Sequence, residues 1–364
     1  MPECNIGNTT TSKASCRGEQ YVCHRTNETC LDFSAKPLEQ NCSGSEGFKK
    51  ENQRRKEHLE NICKSDEMFN NRKLHIEVRA KEMFYFDKVK YGWCPSYKAA
   101  SSSVISHLCP LYYEADRCQD KKRNGAELWR KNSFTNREGR DSIKNFIVVR
   151  DPFTRILSAF KDKLENFRES YYITWMYNDM IIPNRPIPQH LSAKKPELKE
   201  SAKRKSIEKH KSMENPHHPG PYPDPNNPYE NPLRATFPEF ISSVIMGLVD
   251  PHWTSVNLYC APCHQKFDYI IKVSDFTCEF NNFLKETGHG DLSAGNTELW
   301  ATNKGLEKSA TAMYEYYSQL TYDQLDQFYN VFLEDCLMFD FKCEETLCKI
   351  KNWKRLHEKD EKGL

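Results

Sequence analysis

Residues 145–158 read NFIVVRDPFTRILS, and the order of their side chains sets the architecture expected for the chain. The first five form a continuous β-branched and aromatic run, which is typical of a buried parallel strand. Asp151 suits the N-cap of a helix, and Pro152 suits its first turn. Apolar residues then recur at helical spacing from Phe153 to about Phe167. These residues therefore predict a strand, a turn and a helix.

A similar order of elements occurs earlier in the chain. Residues 91–95, YGWCP, predict a strand that ends at a proline, and the small residues 99–103 predict a turn that opens into a helix. A further strand is expected at 267–273, and helices are expected from Phe237, at 276–287 and at 322–335. Alternating strands and helices predict an α/β fold with a central parallel sheet. In such folds, anionic ligands bind where strands end and helices begin.

Composition narrows the class of protein. Apolar residues make up 38% of the 364 residues, and the formal net charge is +2. Because this balance gives no global positive field, we expect no nucleic-acid partner, and any anion must be bound by local clusters. No run of about 18 apolar residues exists, so we expect no membrane span in this chain.

Cysteines and glycosylation sequons indicate the cellular compartment. The chain has 15 cysteines, of which five fall within residues 1–42 beside sequons at Asn8, Asn27 and Asn41. Clustered cysteines and N-glycosylation sites favour an oxidising lumen or the extracellular space. The N-terminus lacks the basic and then apolar pattern of a signal peptide. We therefore expect a lumenal protein whose N-terminal anchor is missing from this sequence, with secretion as the second choice.

The sequence suggests three regions. Residues 1–71 are interpreted as a cysteine-rich stem in which 46–62 form a charged helix or spacer, and 72–345 as the main domain. Within that domain, 183–232 are rich in proline and lysine and are interpreted as a disordered insertion. Its basic tract, 194–211, either binds an acidic glycosaminoglycan or is a solvated loop. Residues 346–364 are interpreted as a charged, frayed tail.

Two segments carry residues suited to phosphate. Arg150 at the strand end and Ser158, two turns into the helix, can bracket one phosphate, since a guanidinium donates paired hydrogen bonds. Alternatively, Arg150 pairs with Asp151 and Ser158 is a small packing residue. Lys98 precedes small residues whose amides and hydroxyls can cradle an oxyanion, although a flexible surface turn is the alternative. The Walker A pattern is absent, which argues against a nucleoside triphosphatase.

Taken with their flanking residues, these segments resemble a known family. Residues 145–165 resemble the 3′-phosphate segment of the Golgi carbohydrate sulfotransferases, in the branch that contains the chondroitin and dermatan 4-O-sulfotransferases, and 94–103 resemble its 5′-phosphosulfate loop. Blocks at 252–272 and 317–341 follow in the expected order. The resemblance implies a P-loop-like three-layer α/β/α fold with a central parallel sheet. It also implies these donor-binding residues: Tyr97, Lys98, Ala99, Ala100, Ser101, Ser102, Ser103, Arg150, Asp151, Pro152, Phe153, Thr154, Arg155, Ile156, Leu157 and Ser158.

The implied reaction moves a sulfuryl group from 3′-phosphoadenosine 5′-phosphosulfate (PAPS) to a glycan or proteoglycan hydroxyl, most directly GalNAc 4-OH in chondroitin or dermatan, without a metal. Lys98 would stabilise the leaving phosphate. His252 is our candidate base, because a neutral imidazole suits that task, although a packed or capping histidine beside Trp253 is the alternative. Glu165 and Asp268 are weaker candidates. The family compartment is the Golgi lumen, where members have a type II membrane anchor.

Departures and alternatives remain. Val104 stands where the family usually has an aromatic residue, and the insertion at 183–232 is longer than expected. Cys260 and Cys263 form a C-x-x-C pattern, for which redox and zinc chemistry compete with structural disulfides. Besides the enzyme, two functions stay open: a glycan-binding protein with a degenerate transferase fold, and a secreted interaction protein that works through its cysteine-rich stem.

Overall fold

The computed structural model describes residues 44–65, 83–86, 88–112, 143–165, 235–293 and 306–361. The three sequons, most of the expected stem and the insertion at 183–232 lie outside these ranges, so the interpretations made for them stay predictions. Side chains are described from 311 to 358 in the last range. No helix in these ranges is long and apolar enough to cross a bilayer.

The described strands form one mixed sheet in the order β1-β2-β3-β4. Strand β2 pairs parallel with β3, and β3 pairs parallel with β4, while β1 adds an antiparallel edge. The predicted strands at 91–95, 145–149 and 267–273 are thus confirmed. The strands are β1 (Phe84–Phe86), β2 (Tyr91–Cys94), β3 (Lys144–Val149) and β4 (Tyr269–Lys272).

Nine helices surround this sheet in the described ranges, and the expected helices are among them. The helix predicted from Pro152 to about 167 is α-helical as far as Phe160 and continues as a π-helical turn, Lys161–Glu165. The helices are α1 (Ser45–Ser65), α2 (Ser101–Leu108), α3 (Pro152–Phe160), α4 (Phe237–Ile245), α5 (Val256–Cys260), α6 (Phe276–Glu286), α7 (Leu306–Tyr317), α8 (Tyr322–Met338) and α9 (Cys343–Glu361).

Strand β3 is buried on both faces, which explains its continuous apolar sequence. Phe146 and Val148 pack in one core cluster with residues of α2 and α6. Ile147 and Val149 pack in a second cluster with residues of α5 and the end of α8. Because alternate side chains of a strand point to opposite faces, this places helices on both sides of the sheet. The expected three-layer α/β/α arrangement is confirmed.

Helix α1 covers the outer edge of β4. The Asn52 side chain donates to the backbone oxygen of Asp268 at 2.8 Å and accepts from the backbone nitrogen of Ile270 at 2.9 Å. Arg55 is buried, donates to the Ile270 carbonyl and forms a two-pronged ion pair with Glu279 at 2.7 Å. An edge strand has unpaired backbone groups, and this helix satisfies them. The charged helix expected at 46–62 is thus observed as part of α1, and it packs against the sheet, while the division of the chain into stem and domain stays a prediction.

The C-terminal residues also differ from the expectation. Residues 343–361, most of which were interpreted as a frayed tail, form helix α9. Leu347 and Ile350 are buried in the largest core cluster together with residues of α3, α4, α7 and α8. A disulfide between Cys336 and Cys343 joins α8 to α9. The charged residues of α9 lie mainly on its solvent-facing side, while the apolar side of the helix packs against the core. The remaining divisions of the chain stay predictions.

Candidate functional site

Strands β2 and β3 end at the same edge of the sheet, because they are parallel. The loop 95–100 leaves β2 at this edge, and Arg150 and Asp151 leave β3 beside it. The two segments predicted to bind phosphate are therefore neighbours, as expected for ligand sites of parallel sheets.

The loop after β2 has an unusual backbone. Lys98 has φ 64° and Ala100 has φ 57°, so both lie in the left-handed region although neither is glycine. Such a conformation costs a residue with a β-carbon about 1–2 kcal/mol, and it persists where the surrounding structure enforces it. Ala100 is the N-cap of α2 and provides no side-chain cap. The amides of the first turn of α2, from Ser101 to Ser103, have no partner within the helix and can bind an anion.

Arg150 connects this loop to helix α3. Its Nη1 donates to the Lys98 carbonyl at 3.2 Å, and its Nε donates to Thr154 Oγ1 at 3.1 Å. No hydrogen bond from its Nη2 occurs within the described residues. Burial lowers the pKa of Arg150, against the opposing charge of Asp151. A guanidinium that is largely removed from water and still has donors to spare is suited to a phosphate.

The start of α3 follows the sequence prediction. The Asp151 carboxylate accepts from the Thr154 amide at 3.0 Å, which confirms the N-cap, and Pro152 occupies the first turn. Thr154 and Ser158 are partly exposed and lie one turn apart on one face of the helix. Together with Arg150, this face provides the guanidinium and hydroxyl groups expected for the 3′-phosphate.

His252 faces the Lys98 loop from another direction. Its ring lies 4.7 Å from the Tyr97 ring, measured between centroids, and its Nδ1 lies 2.7 Å from Asp250 Oδ1. Burial lowers the pKa of His252; Asp250 opposes this shift, and the charges of Lys163 and Lys98 add to it. The imidazole is therefore neutral at neutral pH. When Nδ1–H donates to Asp250, Nε2 carries the lone pair that can accept a proton.

Comparison of the sequence with known proteins identifies the family. The sulfotransferase family matches residues 81–342, which is most of the chain. This chain belongs to the sulfotransferase family. Mouse (Mus musculus) carbohydrate sulfotransferase 8 is 22% identical over 303 residues, covering 79% of this chain and 63% of its own length. Human carbohydrate sulfotransferase 9 is 23% identical over 302 residues, covering 79% of this chain and 59% of its own.

A shorter match is closer in sequence. Carbohydrate sulfotransferase 10 of Danio rerio is 31% identical over 126 residues, covering 31% of this chain and 33% of its own length. The chain spans 59–63% of the length of the mouse and human relatives given above. No solved structure matches the chain. The resemblance to carbohydrate sulfotransferases inferred from the motifs is confirmed.

Several residues of α3 that were expected to bind the donor pack in the core of the domain. The side chains of Phe153, Ile156 and Leu157 are buried in the largest core cluster. Pro152 and Ala99 are buried as well. Helical periodicity turns the side chains of Phe153, Ile156 and Leu157 towards the core, and the assignment of these residues to the donor stays a prediction.

Arg155 shows this inward direction most clearly. Its side chain is 1% exposed and its Nη2 donates to the Thr254 carbonyl at 2.9 Å and lies 3.9 Å from Asp335. Asp335 in turn accepts from the backbone amides of Val256 and Asn257. Arg155 therefore supports the segment that carries His252 from behind and does not reach a ligand.

The weaker base candidates have other partners in the structure. Glu165 accepts a hydrogen bond from the hydroxyl of Tyr316. Asp268 accepts from the Asn145 amide at 2.9 Å, where strands β3 and β4 begin. That edge is opposite the one where Lys98 and Arg150 lie, so Asp268 cannot act on a hydroxyl bound there.

Three charged residues of this site were not identified from the sequence. Lys98 Nζ donates to Asp162 Oδ2, and Lys163 Nζ lies 3.4 Å from the same oxygen. Asp250 orients His252 as described above. Asp162 follows Ser158 by four residues, so its position on the same helical face was a signal in the sequence.

The C-x-x-C pattern consists of two structural disulfides. Cys260 bonds to Cys94 and Cys263 bonds to Cys63, which excludes both from thiolate ligation and confirms the structural interpretation. The Cys94–Cys260 bond has a direct bearing on the site, because Cys94 precedes Lys98 by four residues and Cys260 follows His252 by eight. This disulfide connects the segment that contains Tyr97 and Lys98 to the segment that follows His252.

Proposed function

We propose that this protein transfers a sulfuryl group from PAPS to a hydroxyl of a glycan. The single observation that carries the proposal is that Lys98 and His252 lie at the same loop. Lys98 is part of the loop after β2, and the His252 ring packs against Tyr97 of that loop. Transfer between two oxygens needs a cation on the leaving side and a base on the attacking side. The membership of the family supports this choice of donor.

The residues would divide the work as follows. Arg150, Thr154 and Ser158 bind the 3′-phosphate, and the amides of 99–103 with Lys98 bind the 5′-phosphosulfate. His252 Nε2 takes the proton of the acceptor hydroxyl as its oxygen forms a bond to sulfur. The bond from sulfur to the bridging oxygen breaks, its electron pair remains on the leaving phosphate, and Lys98 stabilises that charge. Asp250 holds the imidazole in the required tautomer.

The acceptor is part of the proposal. We infer a glycan acceptor of the chondroitin or dermatan type, with GalNAc 4-OH as the first hydroxyl to test, from the motif resemblance. The described disulfides favour an oxidising compartment, in agreement with the Golgi lumen.

The competing function is glycan binding by a degenerate transferase, which was suggested by Val104 and by the insertion at 183–232; the insertion lies outside the described residues. Val104 is fully buried and packs in the cluster between the sheet, α2 and α6. Its difference from the family therefore concerns core packing, and the groups assigned to the donor are all present. The observations favour the enzyme.

Transfer of labelled sulfate from PAPS to desulfated chondroitin, dermatan and other glycans tests the proposal. We expect incorporation by the wild-type protein, and we expect Lys98→Met and His252→Ala to lose most of it. Binding of the product, adenosine 3′,5′-bisphosphate, is measured alongside by calorimetry. Binding without transfer to any glycan would reject the enzyme in favour of the binding protein, and absence of binding would reject the donor site.

A further inference from the structure

Lys98, Asp162 and Lys163 form a compact charged group beside the loop after β2. One carboxylate oxygen of Asp162 accepts from Lys98 Nζ and lies 3.4 Å from Lys163 Nζ. The Lys163 side chain is 8% exposed, the Lys98 side chain 18% and the Asp162 side chain 40%. The carboxylate is thus shared between two lysines, and it is accessible to solvent.

Asp162 and a bound phosphosulfate would compete for the same ammonium group. Under the proposed function, Lys98 contacts the 5′-phosphate and the bridging oxygen, whereas the structure directs its Nζ to Asp162. Burial alone would raise the pKa of Asp162, but the hydrogen bond and charge of Lys98, followed by those of Lys163, lower it below its ordinary value. Asp162 is therefore ionised at neutral pH. A carboxylate so close to a bound phosphosulfate would repel it unless it were neutralised.

Lys163 is placed to provide that neutralisation. Residues 161–165 form a π-helical turn, which inserts an extra residue into the helical register after Phe160. With this turn, the consecutive residues Asp162 and Lys163 both direct their charged ends to one point. A mostly buried ammonium that already lies near the carboxylate can keep it paired after Lys98 has moved. A carboxylate without a counter-ion would otherwise oppose the binding of the donor anion.

We propose that Asp162 is a positioning residue that holds Lys98 until the donor arrives, and that Lys163 retains the Asp162 carboxylate when Lys98 turns to the 5′-phosphosulfate. This inference rests on the proposed function. The exchange changes ion-pair partners only, and no covalent bond is made or broken. It sets the affinity for both donor and product, because each must displace Asp162 from Lys98.

A double-mutant cycle on binding of adenosine 3′,5′-bisphosphate tests this exchange. We expect Asp162→Asn to bind the bisphosphate about two- to fivefold more tightly than wild type, the range for a partly exposed ion pair. In the Lys98→Met background, the same substitution should change the affinity by much less. In transfer assays, the KM for PAPS should fall with Asp162→Asn while kcat does not rise.

The matched control is Asp326→Asn. Asp326 pairs with the buried Lys351 between α8 and α9, and its side chain is 39% exposed, close to the 40% of Asp162. This variant loses the same charge from a similar pair, so unchanged bisphosphate affinity is expected. Weaker or unchanged binding by Asp162→Asn, or an equal effect with and without Lys98, would overturn the inference. Failure of the wild-type protein to bind the bisphosphate would instead reject the proposed function.

Discussion

Replacement of Arg155 by methionine tests whether this arginine is a structural support. Asp335 lies fully buried near Arg155, and burial raises its pKa from 3.8 to about 6 even though Arg155 and two backbone amides oppose the shift. Since one pKa unit corresponds to 1.36 kcal/mol, the ionised carboxylate already destabilises the fold by about 3 kcal/mol at neutral pH. Removing the guanidinium leaves this charge without its counter-ion, but the carboxyl can then take up a proton. With a pKa of about 6, this limits the electrostatic part of the further loss to about 2 kcal/mol at pH 7.5.

The sign of the pH dependence makes this expectation specific. A carboxylate with a raised pKa in the folded state is least favourable when ionised, so its penalty diminishes as the pH falls through about 6 and is gone below the unfolded value. Urea unfolding of Arg155→Met should therefore show a larger loss at pH 7.5 than at pH 5.5. Adding Asp335→Asn should recover part of the loss, because the uncompensated charge is then absent. A loss that is equal at both pH values and not relieved by Asp335→Asn would refute the reasoning.

Three further predictions concern the site itself. Arg150→Ala should weaken binding of adenosine 3′,5′-bisphosphate by about 1.5–3 kcal/mol, the range for charged hydrogen bonds, and unchanged affinity by calorimetry would contradict the 3′-phosphate assignment. Because the pKa of His252 is lowered, kcat/KM of the wild-type protein should decline only at acidic pH. Asp250→Asn removes a charge that raises this pKa, so the decline should move to lower pH. The maximal rate of this variant should also fall. An unmoved profile would mean that His252 does not titrate in the reaction. Cys94→Ser with Cys260→Ser should reduce kcat/KM far more than loss of the disulfide between α8 and α9, and equal losses would show that the bond stabilises the domain in general.

The strands were predictable because local sequence alone determines them. Residues 146–149 are a continuous apolar run, which is typical of a strand buried on both faces. The N-cap at Asp151 and the helix after it were equally local, since a side chain and an amide three residues apart complete the cap. The relative position of Lys98 and Arg150 followed from topology, because parallel strands end at the same edge.

What could not be predicted depends on partners that are distant in the chain. Arg155 lies at the border of the exposed face of α3, and its inward direction is decided by Asp335 in α8. Helix α1 has a mostly charged sequence. A few of its polar residues, such as Asn52 and Arg55, hydrogen-bond to the backbone beside and within β4. The left-handed backbone of the loop after β2 could not be predicted either, because glycine favours this conformation and Lys98 and Ala100 do not.

The disulfide between Cys94 and Cys260 also bears on when the site can form during biosynthesis. The two cysteines are 166 residues apart. At about 5–20 residues per second, a ribosome makes Cys260 about 10–30 s after Cys94. During this interval, the cysteine just before the Lys98 loop has no native partner to bond with. The bond can therefore form only after the segment with Cys260 has been made and has packed beside the segment with Cys94. We infer that the site reaches its final form late in synthesis.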